Sequence, residues 1–420
     1  MAKAASALGV PEAGAPGTVG DVRRGNVARV LDRIAHSGND HLTRAQIAAA
    51  TGLTKASVSS LVLDLLESGI IRETGLNPQG ERGRPGVGLE LNPARAVLGM
   101  EINVDYIAAG LVDLSGNLLL HQTRERDNRE GPPGSVVAAL AAVAADLLLA
   151  AHAQGIKVLG GGLAVPGLVD NSTGTVITAP NLGWNGAALD LSALVPDAPL
   201  GTILFNEANA AALAEIRFRQ AAGSDFLFIS GEVGVGGGLV IGSELFTGPH
   251  GHAGELGHVV VQPDGAACSC GGTGCLETIA GQDAIFAAAG IPATSKQPKV
   301  GDNPQPQSRA RNLTQLKSAL TAGDPAALAA VIRAGHYVGV AVASTARLFN
   351  ISSVVLGGHF AILAEWMMPA LLKSLATFAP GVVRADSISL SALGQTGALV
   401  GAAGSVIRSL LDAPHRVAAN

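Results

Sequence analysis

The sequence predicts an α/β protein in two parts. A small head with a winged helix-turn-helix precedes a larger body of alternating strands and helices. Three observations point there. The 420 residues are 48% apolar but only 3% aromatic, so aliphatic side chains must pack the core, and 55 glycines suit tight strand–helix turns. From residue 96 onward short apolar runs alternate with Ala-rich stretches, the pattern of layered α/β architecture. The charge is divided: residues 1–95 carry 11 Lys/Arg against 9 Asp/Glu and the remainder 17 against 24, a head of +2 on a body of −7. A mildly basic front on an acidic body fits a DNA-contacting module, and the acidic total excludes a generally basic nucleic-acid coat.

Residues 1–20, rich in Ala, Gly and Pro, are expected to be a flexible tail without a secretory leader. The head is expected over 21–92, with helices between Asp21 and Gly69, a polar Gly-rich segment Thr74–Pro85 and a strand Val87–Leu91. In the body, 93–420, strands are expected at 97–102, 107–113, 117–123, 158–165, 202–206, 226–230, 236–241, 353–356 and 386–390. Helices are expected at 135–152, 208–220, 278–289, 313–321, 325–349, 360–377 and 395–411. The Pro-rich stretch 293–312 reads as a mobile surface insertion. The longest apolar run, Val136–Ala151, contains Asp146 and is mostly alanine, which reads as too short and too weakly apolar to span a bilayer. No membrane partner and a cytoplasmic location are expected.

In the head, Thr43 caps one helix, Gly52 permits the turn, and Thr54 caps the next. Val58, Leu61, Val62 and Leu65 form the inward stripe of that second helix. Arg44, Thr54, Lys55, Ser57, Ser59 and Ser60 are then candidates for base edges and phosphates, because short hydroxyl side chains fit a crowded major groove. Gly80-Glu-Arg82-Gly-Arg84-Pro before a strand reads as a wing whose arginines suit the negative minor groove. An ordinary helical hairpin used for dimerisation explains the helices but not the basic wing.

All three cysteines fall within eight residues, Cys268-Ser-Cys270-Gly-Gly-Thr-Gly-Cys275. An odd count in so tight a window, without a secretory leader, reads as a metal knuckle rather than disulfide pairing. Thiolates and imidazole suit tetrahedral Zn²⁺, and His258, ten residues upstream, completes the set as the fourth ligand.

These segments converge. Gly254-Glu255-Leu-Gly-His258, Cys268-x-Cys270-Gly-Gly-Thr-Gly-Cys275-Leu-Glu277, Asn206-Glu-Ala-Asn and Gly234-Val-Gly-Gly-Gly238 resemble the ROK family of repressors and sugar kinases, over about residues 96–412. The resemblance implies a two-lobed actin-like (ribonuclease H-like) fold with sugar in the cleft. Lobe one would take 93–206 plus the C-terminal helix, and lobe two 207–394. It further implies Gly167, Asn181, Asn206, Glu207, Glu255, His258 and Glu277 as the sugar site. Taken singly, Glu277 and Asn206 could be helix caps and Asn181 a turn former.

Three departures separate this chain from the family's kinases. The first strand–turn reads Glu101-Ile-Asn103-Val-Asp105, with no glycine to admit phosphates and two carboxylates to repel them. Glu207 stands where the kinases place a catalytic Asp, and a misplacement of about 1 Å can cost roughly a hundredfold in rate. Glu232-Val233-Gly234 replaces a phosphate loop. The resulting expectation is a sugar-responsive repressor without kinase activity, acting on double-stranded operator DNA as a homodimer or homotetramer. Its effector would be a monosaccharide, with a lean to a pentose such as xylose. The alternative is a bifunctional ATP-dependent sugar kinase with a fused DNA-binding head.

Overall fold

The computed structural model describes residues 19–77, 86–129, 131–218, 225–249, 251–292, 309–414 and 417. Residues 1–18 of the tail, the wing tip with Arg82 and Arg84, and 293–308 of the insertion lie outside the described residues.

The head contains α1 (Val19–Ala35), α2 (Arg44–Thr51), α3 (Lys55–Glu67) and the antiparallel pair β1 (Ile71–Asn77) and β2 (Gly86–Leu91). Thr43 and Gln46 form a reciprocal capping box that starts α2, and Gly52 at φ +71° ends it. The Thr54 hydroxyl caps α3 by accepting from the Ser57 N–H. Val58, Leu61, Val62 and Leu65 are buried, each contributing roughly 1.5–3 kcal/mol by leaving water. The sequence reading missed β1, because its partner strand lies across the wing and Gly75 interrupts the local pattern.

The body opens with β3 (Arg95–Ile102), β4 (Tyr106–Asp113), β5 (Leu118–Glu125), α4 (Pro133–Ala153) and β6 (Lys157–Val165). A three-stranded insert follows, β7 (Leu168–Asp170), β8 (Thr175–Ala179) and β9 (Trp184–Ala188), then β10 (Thr202–Asn206). Next come α5 (Glu207–Phe218), β11 (Phe226–Gly231), β12 (Val235–Ile241), β13 (Glu244–Leu245), α6 (Glu277–Ala280) and α7 (Gln282–Ala288). The chain continues through α8 (Arg309–Thr321), α9 (Pro325–Phe349), β14 (Val354–Gly357), α10 (Gly358–Ile362), α11 (Ala364–Phe378), β15 (Ile388–Leu390) and α12 (Gly397–Asp412).

The two main sheets share one construction. Their orders are β5-β4-β3-β6-β10 and β13-β12-β11-β14-β15. In each, the second strand in chain order runs against the other four. This duplicated order is the actin-like, ribonuclease H-like arrangement. Helix α4 covers one face of the first sheet and α12 the other, while α5 covers the second sheet beside α12. The facing helices touch at backbone distance, since a Cβ on Gly401 would overlap the Ala210 carbonyl. Val30, Leu31 and Ile34 of α1 share a core with Val406, Ile407 and Leu410 of α12. A continuous packed path therefore runs from α5 through α12 to the head.

Four expectations are corrected. Residues 309–312 are the first turn of α8, so that end of the insertion is helical. The single helix expected at 278–289 is two, broken at Gly281 in extended conformation. The one expected at 360–377 is also two, α10 and α11. The Val136–Ala151 run is not too short or weakly apolar: α4 has 21 residues and an 18-residue stretch of mean hydropathy 2.1, long and apolar enough by composition to cross a membrane. Its Val136, Leu140, Val143 and Leu147 are instead buried in the first lobe, so it is a core helix.

Candidate functional site

A cleft of about 690 Å³, counting its open mouth, lies between the lobes. Gly167, Asn181, Asn206, Glu207, Glu255, His258 and Glu277 all line it. Gly167 has φ +94°, and a Cβ there would overlap the Thr178 carbonyl, so glycine is required. Asn206 ends β10; its Nδ2 donates to the Gly167 carbonyl at 2.8 Å and its Oδ1 accepts from the Asn209 N–H at 2.9 Å. The side chain thus caps α5 and fixes the Gly167 turn together. Glu277 does not cap its own helix: Oε2 accepts from the Val235 N–H at 3.1 Å and Oε1 from the Ser269 hydroxyl at 3.4 Å. Burial pushes the Glu255 carboxyl up, partly opposed by His258.

Gly234 lies against Glu277, and a Cβ would overlap its carboxylate. Gly234→Ala is expected to push Glu277 off the Val235 N–H. Ligand affinity at the cleft should drop about tenfold or more while Tm moves by a few degrees at most, read by calorimetry. Unchanged affinity would remove Glu277 from the site.

His258, Cys268, Cys270 and Cys275 bring their ligand atoms within 4.8 Å of one another. The Cys268 Sγ lies 3.6 Å from His258 Nδ1, and Cys270 Sγ 3.7 Å from Cys275 Sγ. A tetrahedral ion with M–S of about 2.3 Å and M–N of about 2.05 Å requires S···S of about 3.8 Å and S···N of about 3.6 Å. The donor set therefore fits a structural metal. His258 turns Nδ1 to this cluster and Nε2 toward Glu255 Oε2, 3.9 Å away, so one ring joins the metal loop to the cleft. Ser269, between two of the cysteines, also lines the cleft; sequence reasoning missed it, although its place inside the knuckle was the available signal.

The opposite wall carries the acidic residues singled out in sequence. Glu101 in β3, Glu207 at the start of α5 and Glu232 after β11 line a second chamber, with Tyr106, Ser230 and the Gly357–Gly358 pair. Tyr106 donates its hydroxyl to Glu101 Oε1 at 2.7 Å. Asn103 Nδ2 bridges Glu101 Oε1 at 3.4 Å and Glu207 Oε1 at 3.3 Å. Burial pushes Glu101 up to about 7. Burial, aided by Glu101 and Asp105, pushes Glu232 up to about 8. Glu207 is raised well above the usual range by burial, then by Glu101 and Glu232.

In the head, Lys55, Ser57, Ser59 and Ser60 are exposed on α3. The Thr54 and Ser57 hydroxyls bond to each other at 2.8 Å, which ties both to the cap. Arg44 is paired with Glu73 at 2.9 Å.

Residues 97–408 match the ROK family model. The chain belongs to the ROK family. Ahead of its ROK domain, residues 24–83 match the MarR family, a winged-helix head. The chain is 30% identical to the xylose repressor of Bacillus subtilis (strain 168) over 321 residues, covering 76% of this chain and 78% of that protein. It superposes with a TM-score of 0.75 on a ROK family transcriptional regulator, a homolog of the E. coli MLC protein. That match is 25% identical and covers 95% of this chain and 100% of that one. The ROK domain is also similar to a ROK family glucokinase from Streptomyces griseus solved with glucose and AMPPNP. There the TM-score is 0.58 at 29% identity, covering 73% of this chain and 98% of that one.

Proposed function

We propose that this protein is a sugar-responsive transcriptional repressor that has kept the carbohydrate half of its cleft and lost phosphoryl transfer. The single observation that carries the reading is the contrast between the two walls. One wall is hydroxyl-binding chemistry beside a His/Cys cluster that fits a metal; the other carries the buried carboxylate of Glu101 and the half-buried carboxylates of Glu207 and Glu232, with no basic residue among those lining the chamber. Carboxylates and carboxamides each serve vicinal hydroxyls, which suits a monosaccharide. Buried acids oppose the phosphates of a nucleotide. A bifunctional kinase would have to place those phosphates against Glu101 and Glu232.

The metal is proposed to be Zn²⁺, held by His258, Cys268, Cys270 and Cys275 as a structural ion. It would fix the loop that presents Glu255, Ser269 and Glu277 to the sugar. DNA contact is assigned to Arg44, Thr54, Lys55, Ser57, Ser59 and Ser60 at base edges and phosphates, and to the wing arginines Arg82 and Arg84 in the minor groove. The protein would act in the cytoplasm as a homodimer or homotetramer on repeated half-sites. Sugar binding shifts the lobes, and the packed path α5–α12–α1 carries that shift to the head.

Glu207 projects one methylene further than Asp and fills space a hexose hydroxymethyl would need, which favours a pentose; the name of the Bacillus subtilis relative points the same way. Calorimetry should find xylose bound about tenfold more tightly than glucose. A clear preference for glucose would end the pentose assignment.

A further inference from the structure

The carboxylate chamber is more than a blocked nucleotide site. It is a small space that adjoins the sugar cleft, with Glu207, Ser230 and Glu232 lining both. Glu101 is 1% exposed, and its Oε2 is buried with no hydrogen-bond partner, although Oε1 accepts from Tyr106 and Asn103. An ionised oxygen in that position needs a donor, and no Lys, Arg or His lines the chamber. We propose that this chamber is a binding site for a small organic cation with several N–H donors, of the guanidinium or amidinium type.

Geometry selects the ligand class. Among the described residues only the His258–cysteine cluster gathers three or more ligand atoms within 4.8 Å, so the chamber carboxylates are spread too widely for one metal ion. They stand on three separate elements around the chamber. A planar fork directs its donors outward along several edges and reaches acceptors that a point charge cannot hold together. The Asn103 amide already shows an N–H₂ group bridging Glu101 and Glu207. The phenol of Tyr106 offers a further oxygen on the rim, and the Gly357–Gly358 turn brings no side chain into the space.

Protonation gives this site a signature. The titratable groups around it are Glu101 on β3, Asp105 in the β3–β4 turn, Tyr106 on β4, Glu207 on α5, Glu232 after β11 and His359 on α10. Burial holds His359 near 4, so it stays neutral above that pH. The empty chamber keeps protons on its carboxyls. A bound cation displaces them, so affinity rises with pH from 6 to 8.5 and binding releases protons.

The test titrates full-length protein with methylguanidinium, methylammonium, Mg²⁺ and Na⁺ at constant ionic strength, following heat and released protons. Saturable methylguanidinium binding that tightens with pH, and weakens about tenfold or more in Glu101→Gln, is the expected result. Glu232→Gln serves as a second variant should the first fold poorly. No saturable binding, an equal response to Na⁺, preference for methylammonium or Mg²⁺, or unchanged affinity in a folded Glu101→Gln would overturn the site. This inference builds on the proposed loss of the nucleotide half. Xylose titrations of the wild-type and Glu101→Gln samples report the sugar wall separately, because Glu101 lines only the chamber.

Discussion

Cys270→Ser will release the metal and take sugar recognition with it. Serine cannot supply the thiolate that a soft tetrahedral site requires, so metal content should fall from about one ion per chain to near zero. The effect reaches the cleft because His258 belongs to both sites. Ser269, flanked by two cysteines of the cluster, supports Glu277, and Glu277 in turn is aligned by the Val235 N–H. Losing partners that orient a site costs about 10–100-fold, and the loss of the whole brace should lie at the upper end, about 100-fold in sugar affinity. The head keeps its own capped helices, hairpin and buried stripe, so operator binding should change by less than about threefold. Metal analysis, sugar calorimetry and DNA anisotropy on one preparation check all three. A metal-free variant that still releases DNA on adding sugar would break the proposed coupling.

Stability should fall as pH rises from about 5 to 9, the reverse of ordinary acid denaturation. Glu101 is raised to about 7 and Glu232 to about 8 in the fold, from 4.5 in the unfolded chain. The folded state therefore binds more protons than the unfolded state, and stability declines with pH across that window. The favourable share is complete below about 4.5 and gone above about 8. Moving one carboxyl from 4.5 to about 7 corresponds to roughly 3 kcal/mol, and mutual coupling makes the total for the cluster smaller than a simple sum. Calorimetric Tm in low-salt buffers at pH 5–9 should drop by several degrees. Glu101→Gln with Glu232→Gln should flatten the slope, because the amides never ionise. A Tm that climbs steadily from pH 5 to 8, or an unchanged slope in the double variant, would contradict the cluster's burial.

The regular parts of the fold were legible because they are local. The β11–β12 hairpin, the Ala-rich α5 and the 25-residue α9 follow periodicity and caps that the chain carries on its surface. Strand β1 escaped notice because its partner lies across the wing and Gly75 breaks its alternation, and β7, β8 and β9 because they are only 3, 5 and 5 residues long, too short to show a period, although each pairs with its neighbour in the chain. The His258–cysteine cluster was readable because these are rare residues at tight spacing. Ser230, Ser269 and the Gly357–Gly358 pair were not read as site residues, since serine and glycine are common and only the folded geometry brings them to the cleft or the chamber beside it.

The most direct measurement incubates purified, metal-loaded protein with Mg·ATP and xylose or glucose and quantifies sugar phosphate alongside operator release. Sugar should release the operator without nucleotide and no sugar phosphate should form. Turnover to sugar phosphate, or operator release that requires ATP, would contradict a cleft that senses sugar without phosphorylating it.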